Sequence, residues 1–190
     1  MKDLYKKITE TLTAQEADTL LQEAELRPIA HVDLFKSQYL NPEAHQLYPT
    51  PAVFYEYNVA WVDKGNKTQA GDATVRIHIL LEDPCESYDY APDQDEALKV
   101  FDYYELIHIL LTGLETCRTT GLQRIAEDPG FSNSTNLIAH IVTYKCMITD
   151  DTTDVMNRFT DQEINGFEVG AGKLSKRIRS EEDRESEYII

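Results

Sequence analysis

Two long apolar stretches joined by a polar connection constrain the fold more than any other feature of this 190-residue sequence. The first, Ala52–Val62, is rich in aromatic residues and carries apolar side chains on both parities. The second, Thr74–Leu81, alternates β-branched with polar residues before it ends in two leucines. Because the connection Asp63–Asp72 is polar and contains glycine, the pair predicts an antiparallel hairpin with a long tip.

The first strand also needs cover on both of its faces. A strand with one solvated face alternates apolar with polar residues, and Ala52–Val62 does not do so cleanly. A layer of helices covers only one face of a sheet. The second layer therefore comes either from the N-terminal helices of the same chain or from a neighbouring subunit.

Helical and strand periodicities divide the rest of the chain. Apolar residues recur at helical spacing within the first 24 residues, and a further helix begins near Asp95. The second half of that helix, Leu106–Leu114, is apolar nearly all round, which indicates burial on two sides. The other predicted elements are a strand Ile29–Phe35, a loop Lys36–Pro51, an acidic loop Glu82–Asp95, a strand Thr119–Glu127, a turn Asp128–Thr135 and a strand Asn136–Thr149.

This order of elements predicts an α+β domain over residues 1–150. We expect a mainly antiparallel sheet of about four to five strands, with the helices packed on one face. Residues 151–190 contain 16 charged residues and show no clear period. We interpret them as a charged C-terminal arm that is extended or disordered.

The charge balance excludes one class of partner. The chain has 18 basic and 34 acidic residues, a formal net charge of −16 at pH 7. Such a surface repels phosphate backbones, so we expect no binding of nucleic acid through a basic patch. Cys85, Cys117 and Cys146 have neither CxxC nor Cys/His spacing, which predicts no disulfide framework and no zinc site. Since no apolar run reaches about 20 residues, we expect a soluble protein that does not cross a membrane.

No motif for catalysis or for a cofactor occurs in the sequence. The GxxxxGK[ST], GxGxxG, HExxH and GxSxG motifs are all missing. His78 and His140 lie within strands and could approach each other across the sheet, but a zinc site needs three or four clustered ligands. We therefore interpret both as hydrogen-bonded sheet histidines, and we expect no enzyme activity, no catalytic residues, no metal and no cofactor.

Several stretches of the chain, taken in order, resemble the tail-terminator (tail-completion) proteins of tailed bacteriophages. They are IAHVDLF, PAVFYEY followed by a tryptophan, a tip with glycine and glutamine, TVRIHILLED, ALKVFDYYELIHILLTGL and LIAHIVTYKCMITD, and they span Ile29–Asp150. The resemblance implies a compact α+β subunit that forms a ring, usually of six copies. Such a ring caps the finished tail tube, ends its polymerisation and joins the tail to the neck of the head.

The resemblance also implies partners and a location. The partners are further copies of the chain, the tail tube protein and a neck or connector protein, while DNA passes an acidic lumen without specific binding. The protein would be made in the host cytoplasm and located in the virion. The hairpin would belong to a sheet that continues between subunits, which makes a ring neighbour the favoured second layer. The residues that we place at interfaces are Tyr55, Tyr57, Trp61, Asp63, Lys64, Arg76, His78, Ile109, Leu110 and Phe167.

Two other functions stay open. One is a different neck or head-completion protein of the same kind of particle. The other is an acidic adaptor or inhibitor that mimics nucleic acid and blocks a basic partner. Mimicry predicts a monomer or dimer with strongly salt-dependent binding, whereas assembly predicts a ring.

Overall fold

The structure is a computed structural model that describes residues 1–41, 43, 47–65, 68–82, 90–92, 94–130 and 137–152. Most of the predicted acidic loop and nearly all of the predicted arm, including Phe167, lie outside these residues. The chain divides into two units, Met1–Asp154 and Val155–Ile190, and the described residues all belong to the first.

Three helices and five strands follow one another in the described part of the chain. In order they are α1 Lys2–Leu12, α2 Gln15–Glu23, β1 His31–Leu34, β2 Ala52–Asp63, β3 Gln69–Glu82, α3 Gln94–Leu111, β4 Gln123–Gly130 and β5 Leu137–Asp150. The sheet order is β1-β2-β3-β5-β4, in which β1 runs parallel to β2 and all other neighbours are antiparallel. The predicted α+β class with a mainly antiparallel sheet is confirmed. Within the described ranges, no helix combines the length and the apolar character that crossing a membrane requires.

All three helices pack on one face of the sheet, which we call the helix face. Burial of apolar side chains between the two layers is the main force that holds them together, at about 25 cal/mol per Å². The core draws on every helix and on the three central strands: Leu4, Ile8, Leu12, Leu21, Tyr104, Ile107, Val53, Tyr55, Val75, Ile77, Val142 and Tyr144. The prediction that the helices lie on one face is therefore confirmed.

The segment predicted as a loop between β1 and β2 covers part of the opposite face, which we call the back face. Phe54 and Leu80 point to this face and are fully buried there. Their cover comes from aromatic and apolar side chains of the segment: Phe35, Tyr39, Leu40 and Tyr48. A ring neighbour was expected to supply the second layer, and for the first half of β2, around Phe54, this expectation is wrong. The alternative, that the N-terminal helices supply it, is also wrong, because those helices pack on the helix face.

The hairpin tip is shorter than the sequence indicates. β2 and β3 stay paired as far as Asp63 and Gln69, so the predicted tip Asp63–Asp72 shrinks to the five residues 64–68. Gly71, which the prediction placed in the tip, lies within β3, and its missing side chain lets β2 approach closely. A Cβ atom at Gly71 would lie 2.8 Å from Val59 Cγ1 and 2.9 Å from the Ala60 carbonyl oxygen.

β4 also differs from its predicted boundaries. The prediction ended a strand at Glu127 and began a turn at Asp128, whereas β4 runs from Gln123 to Gly130. It is an edge strand with a bulge between Arg124 and Ala126. Proline is tolerated in a strand at such an edge, which explains how β4 continues through Pro129.

Candidate assembly surface

The outer side of α3 exposes a line of apolar side chains, Leu98, Phe101 and Ile109, which we call the α3 stripe. Their exposed fractions are 42%, 60% and 57%. The opposite side of the helix packs on the sheet through Tyr104 and Ile107, so the stripe faces away from the core. The apolar pattern of α3 predicted that the helix is buried on two sides. Among the described residues, none covers this second, outer side.

Acidic side chains flank the α3 stripe. Asp102 and Glu105 are exposed on the same side of the helix. The basic side chain of Lys99, also in α3, is held by Glu96 and Glu25, with Nζ–Oε2 distances of 2.9 Å and 3.3 Å. The outer side of α3 therefore offers apolar contact area with an excess of negative charge.

A second exposed apolar region lies on the second half of β2. β1 pairs only with Ala52–Tyr55, so β2 continues beyond its neighbour. We call the outward side of Tyr57–Asp63 the β2 edge. Tyr57 and Trp61 are 50% and 43% exposed, because the helices do not extend over this end of the strand. Val62, which points to the back face, is 56% exposed.

The structure separates the residues that the sequence placed at interfaces. Tyr57, Trp61, Asp63, Lys64 and Ile109 are exposed, whereas Leu110 and Arg76 are half-buried. Arg76 Nη1 donates to Glu56 Oε1 at 2.6 Å. Tyr55 and His78 are enclosed by this chain, with exposed fractions of only 1% and 2%, and hold the fold. For the exposed residues a role in assembly stays a prediction.

The two strand histidines lie on opposite faces of the sheet. His78 pairs with Ile141 in the β3–β5 register, and His140 pairs with Ile79. The expectation that they could approach each other is wrong, because neighbouring positions along a strand alternate between faces. Among the described residues, no group of three His, Cys, Asp or Glu side chains could hold a metal.

His78 is a hydrogen-bonded sheet histidine, as predicted. Its Nδ1 and the Tyr39 hydroxyl lie 2.6 Å apart, and its ring stacks on Phe35 with centroids 4.2 Å apart. Burial raises the pKa of Tyr39 to about 12. These contacts fasten the segment between β1 and β2 to the back face of β3.

Acid is expected to weaken the fold through His78. Burial lowers the pKa of His78 below its usual 6.5, although the Glu56 carboxylate opposes the shift. The unfolded chain then binds the proton more readily, so this contribution to stability is complete above about pH 6.5 and is lost as the pH falls below it. The free energy of unfolding in urea should fall more steeply from about pH 7.5 to pH 5.5 in the parent than in His78→Gln.

The comparison of slopes isolates this histidine. Burial also lowers the pKa of His140, and that contribution is common to both proteins. Equal slopes for the parent and His78→Gln would contradict the lowered pKa of His78.

Comparisons with known proteins show a distant likeness in fold. No protein-family model matches the chain, and no curated protein matches its sequence. The fold is similar to a chain in the solved structure of the virion of a native gene transfer agent particle, with a TM-score of 0.45 and 10% identity. The match covers 75% of this chain and 92% of that chain. A likeness at this level does not assign a function.

Sequence reasoning missed part of the α3 stripe. It placed Ile109 and Leu110 at an interface but not Leu98 or Phe101. Leu98 and Phe101 are three residues apart and therefore neighbours on the helix surface, and the Phe101 ring contacts the edge of the buried side through Tyr104, with ring centroids 5.9 Å apart.

Proposed function

We propose that the chain is a structural virion protein, without catalysis, that forms a ring at the end of a phage-type tail. The ring would cap the tail tube, end its polymerisation and join the tail to the neck. The ordered sequence resemblance over Ile29–Asp150 supports this role. The observation that carries it further is the α3 stripe.

The α3 stripe provides a surface that assembly would bury. Leu98 and Phe101 are neighbours on the outer side of α3, and Ile109 follows about two turns further along the same side, beyond Glu105. Large exposed apolar side chains that share one side of a helix indicate a contact with another macromolecule. In a closed ring, each subunit presents one surface to the preceding copy and a different surface to the next. The α3 stripe would be one of these two surfaces.

The charge of the chain suits a ring through which DNA passes. A formal net charge of −16 makes adhesion of phosphate backbones unfavourable. A lumen lined by such subunits would let DNA move without specific binding. The tail tube and neck proteins are the partners expected at the two faces of the ring.

The proposed location in the virion can be tested with purified phage-type particles that encode this chain. Mass spectrometry should find the protein in a constant low copy number, and negative-stain images of the protein mixed with tail tube protein should show rings. Particles that contain no trace of the chain would overturn the proposed function.

Ile109→Asp should prevent ring formation without unfolding the chain. The side chain is 57% exposed, so a charge there should change the free energy of unfolding by less than about 1 kcal/mol. In a ring contact the same carboxylate would be buried beside Asp102 and Glu105, where it has no counter-ion.

Leu47→Asp is the matched control. Leu47 is 98% exposed and lies outside the α3 stripe, so this variant should form rings like the parent. Rings that form equally well with Ile109→Asp would show that the α3 stripe is not a ring contact.

A further inference from the structure

The β2 edge presents a row of backbone groups that no strand of the described part of the chain pairs. The Ala30 N–H donates to the Pro51 carbonyl at 2.9 Å, and the Phe35 N–H donates to the Tyr55 carbonyl at 2.8 Å. The backbone groups of odd-numbered residues in β2 therefore point toward β1.

The same parity continues beyond the end of β1. The pairing of β2 with β3 has no register shift from Ala52 to Asp63, so the alternation is unbroken. The residues whose N–H and C=O groups point outward are then Tyr57, Val59, Trp61 and Asp63. Among the described residues, none provides a backbone partner for these groups.

The opposite edge of the sheet is protected in a way that the β2 edge is not. In the β4–β5 register Asp128 pairs with Ile141, whose backbone groups face β4, so the next residue, Pro129, turns its nitrogen outward. Proline and the bulge between Arg124 and Ala126 both discourage pairing with another strand. β2 has neither device between Glu56 and Asp63.

We propose that two copies of this chain pair through their β2 edges, antiparallel, with Ala60 opposite Ala60 of the second copy. In this register Tyr57 faces Asp63 of the second copy, and Val59 faces its Trp61. All the outward N–H and C=O groups of both strands then find partners. A shift that sets Val59 opposite itself would bring Asp63 against Tyr55, whose carbonyl already accepts the Phe35 N–H.

Side chains agree with this register. It places Glu56 opposite Lys64 of the second copy, and by symmetry Lys64 opposite Glu56, so opposite charges meet at both ends of the contact. At the two-fold axis the facing residues are alanines, which leave room for the strands to approach. Along the outer side of β2, β1 would pair with the first half of the strand and β2 of the second copy with the second half, so that the two partners lie end to end.

The contact is separate from the ring proposed above. It is isologous, so it closes with two copies and can neither build nor require a cyclic ring. Absence of the chain from virions would leave the β2 contact untouched, and a failed β2 contact would leave the ring proposal untouched.

A disulfide at the two-fold axis tests the register in the full chain. The background carries Cys85→Ser and Cys117→Ser and retains Cys146, which is buried. Facing residues in a non-hydrogen-bonded antiparallel pair have Cα atoms about 4.5 Å apart, within the range that a disulfide spans. Under mild oxidation, Ala60→Cys should convert most of the protein to a covalent dimer.

Asn58→Cys is the matched control on the same face of β2. Its two copies would be offset by four residues, about 13 Å along the strands, so it should not cross-link above the background. Equal cross-linking at both positions, or none at Ala60→Cys, would overturn the proposed pairing.

Val59→Pro provides a second measurement by sedimentation. Its nitrogen points outward, so proline removes one donor per chain from the dimer contact and none from the β2–β3 ladder. The dissociation constant of the dimer should rise about tenfold or more, while circular dichroism stays like that of the parent. A parent that sediments as a monomer at every concentration, or a folded Val59→Pro that dimerises like the parent, would contradict the proposal.

Discussion

Tyr55→Asp is expected to leave the described domain largely unfolded. Tyr55 lies in the middle of the sheet, opposite Ile77 in β3 and Leu34 in β1, and is 1% exposed. Loss of the buried ring alone costs about 3–5 kcal/mol, and a buried carboxylate without a counter-ion adds to that cost. The sum approaches the whole stability of a typical domain, about 5–15 kcal/mol. Far-UV circular dichroism and urea titration would measure it.

Two variants control for the position and for the charge. Tyr55→Phe keeps the ring, and because the Tyr55 hydroxyl has no hydrogen-bond partner among the described residues, no loss of stability is expected. Tyr57→Asp places the same charge two residues further along the same face, where the side chain is 50% exposed, and should cost less than about 1 kcal/mol. Similar losses for Tyr55→Asp and Tyr57→Asp would contradict the burial of Tyr55.

The elements with strong periodicity could be predicted from the sequence. β2, α3 and β5 lie close to their predicted ranges because each buries a long apolar face whose spacing is visible locally, whereas β3 begins five residues earlier than predicted. The position of the helices could also be predicted. In an α+β domain with a mainly antiparallel sheet, the helices pack together on one face of that sheet.

Other features depend on contacts between distant parts of the chain and could not be read from a local pattern. Phe35, Tyr39 and Tyr48 lie in a stretch with several prolines, which is typical of a loop, yet they cover the back face of the sheet. The faces of His78 and His140 depend on the register between β3 and β5, which is set by tertiary pairing.

Along β2, too, the sequence could predict only part of what the structure shows. Exposure of Tyr57 and Trp61 follows from where the helices end, whereas their aromatic character suggested burial. Conversely, Tyr55 has the same residue type and the same parity but lies beneath Tyr5 of α1, with ring centroids 5.8 Å apart. Residue type alone therefore could not separate interface from core along β2.

The two proposed contacts differ in chemistry and can be separated by experiment. The α3 stripe offers side-chain area flanked by carboxylates, whereas the β2 edge offers mainly backbone hydrogen bonds. Ile109→Asp should remove rings and leave dimers intact, and Val59→Pro should do the reverse. Because the α3 stripe and the β2 edge are separate surfaces, two copies can pair through the β2 edge whether or not the ring forms.

Phe54→Ala is expected to destabilise the domain by about 3–5 kcal/mol, because it empties the layer that the chain builds on its own back face. Phe54 is fully buried, with Tyr48 in an edge-to-face contact at 4.9 Å and His31 at 5.6 Å between ring centroids. Val62→Ala, on the same face of β2 but 56% exposed, should cost less than about 1 kcal/mol in the same urea titration. If the two variants lost equal stability, the segment between β1 and β2 would not be the second layer, and a neighbouring subunit would again be needed to cover Phe54.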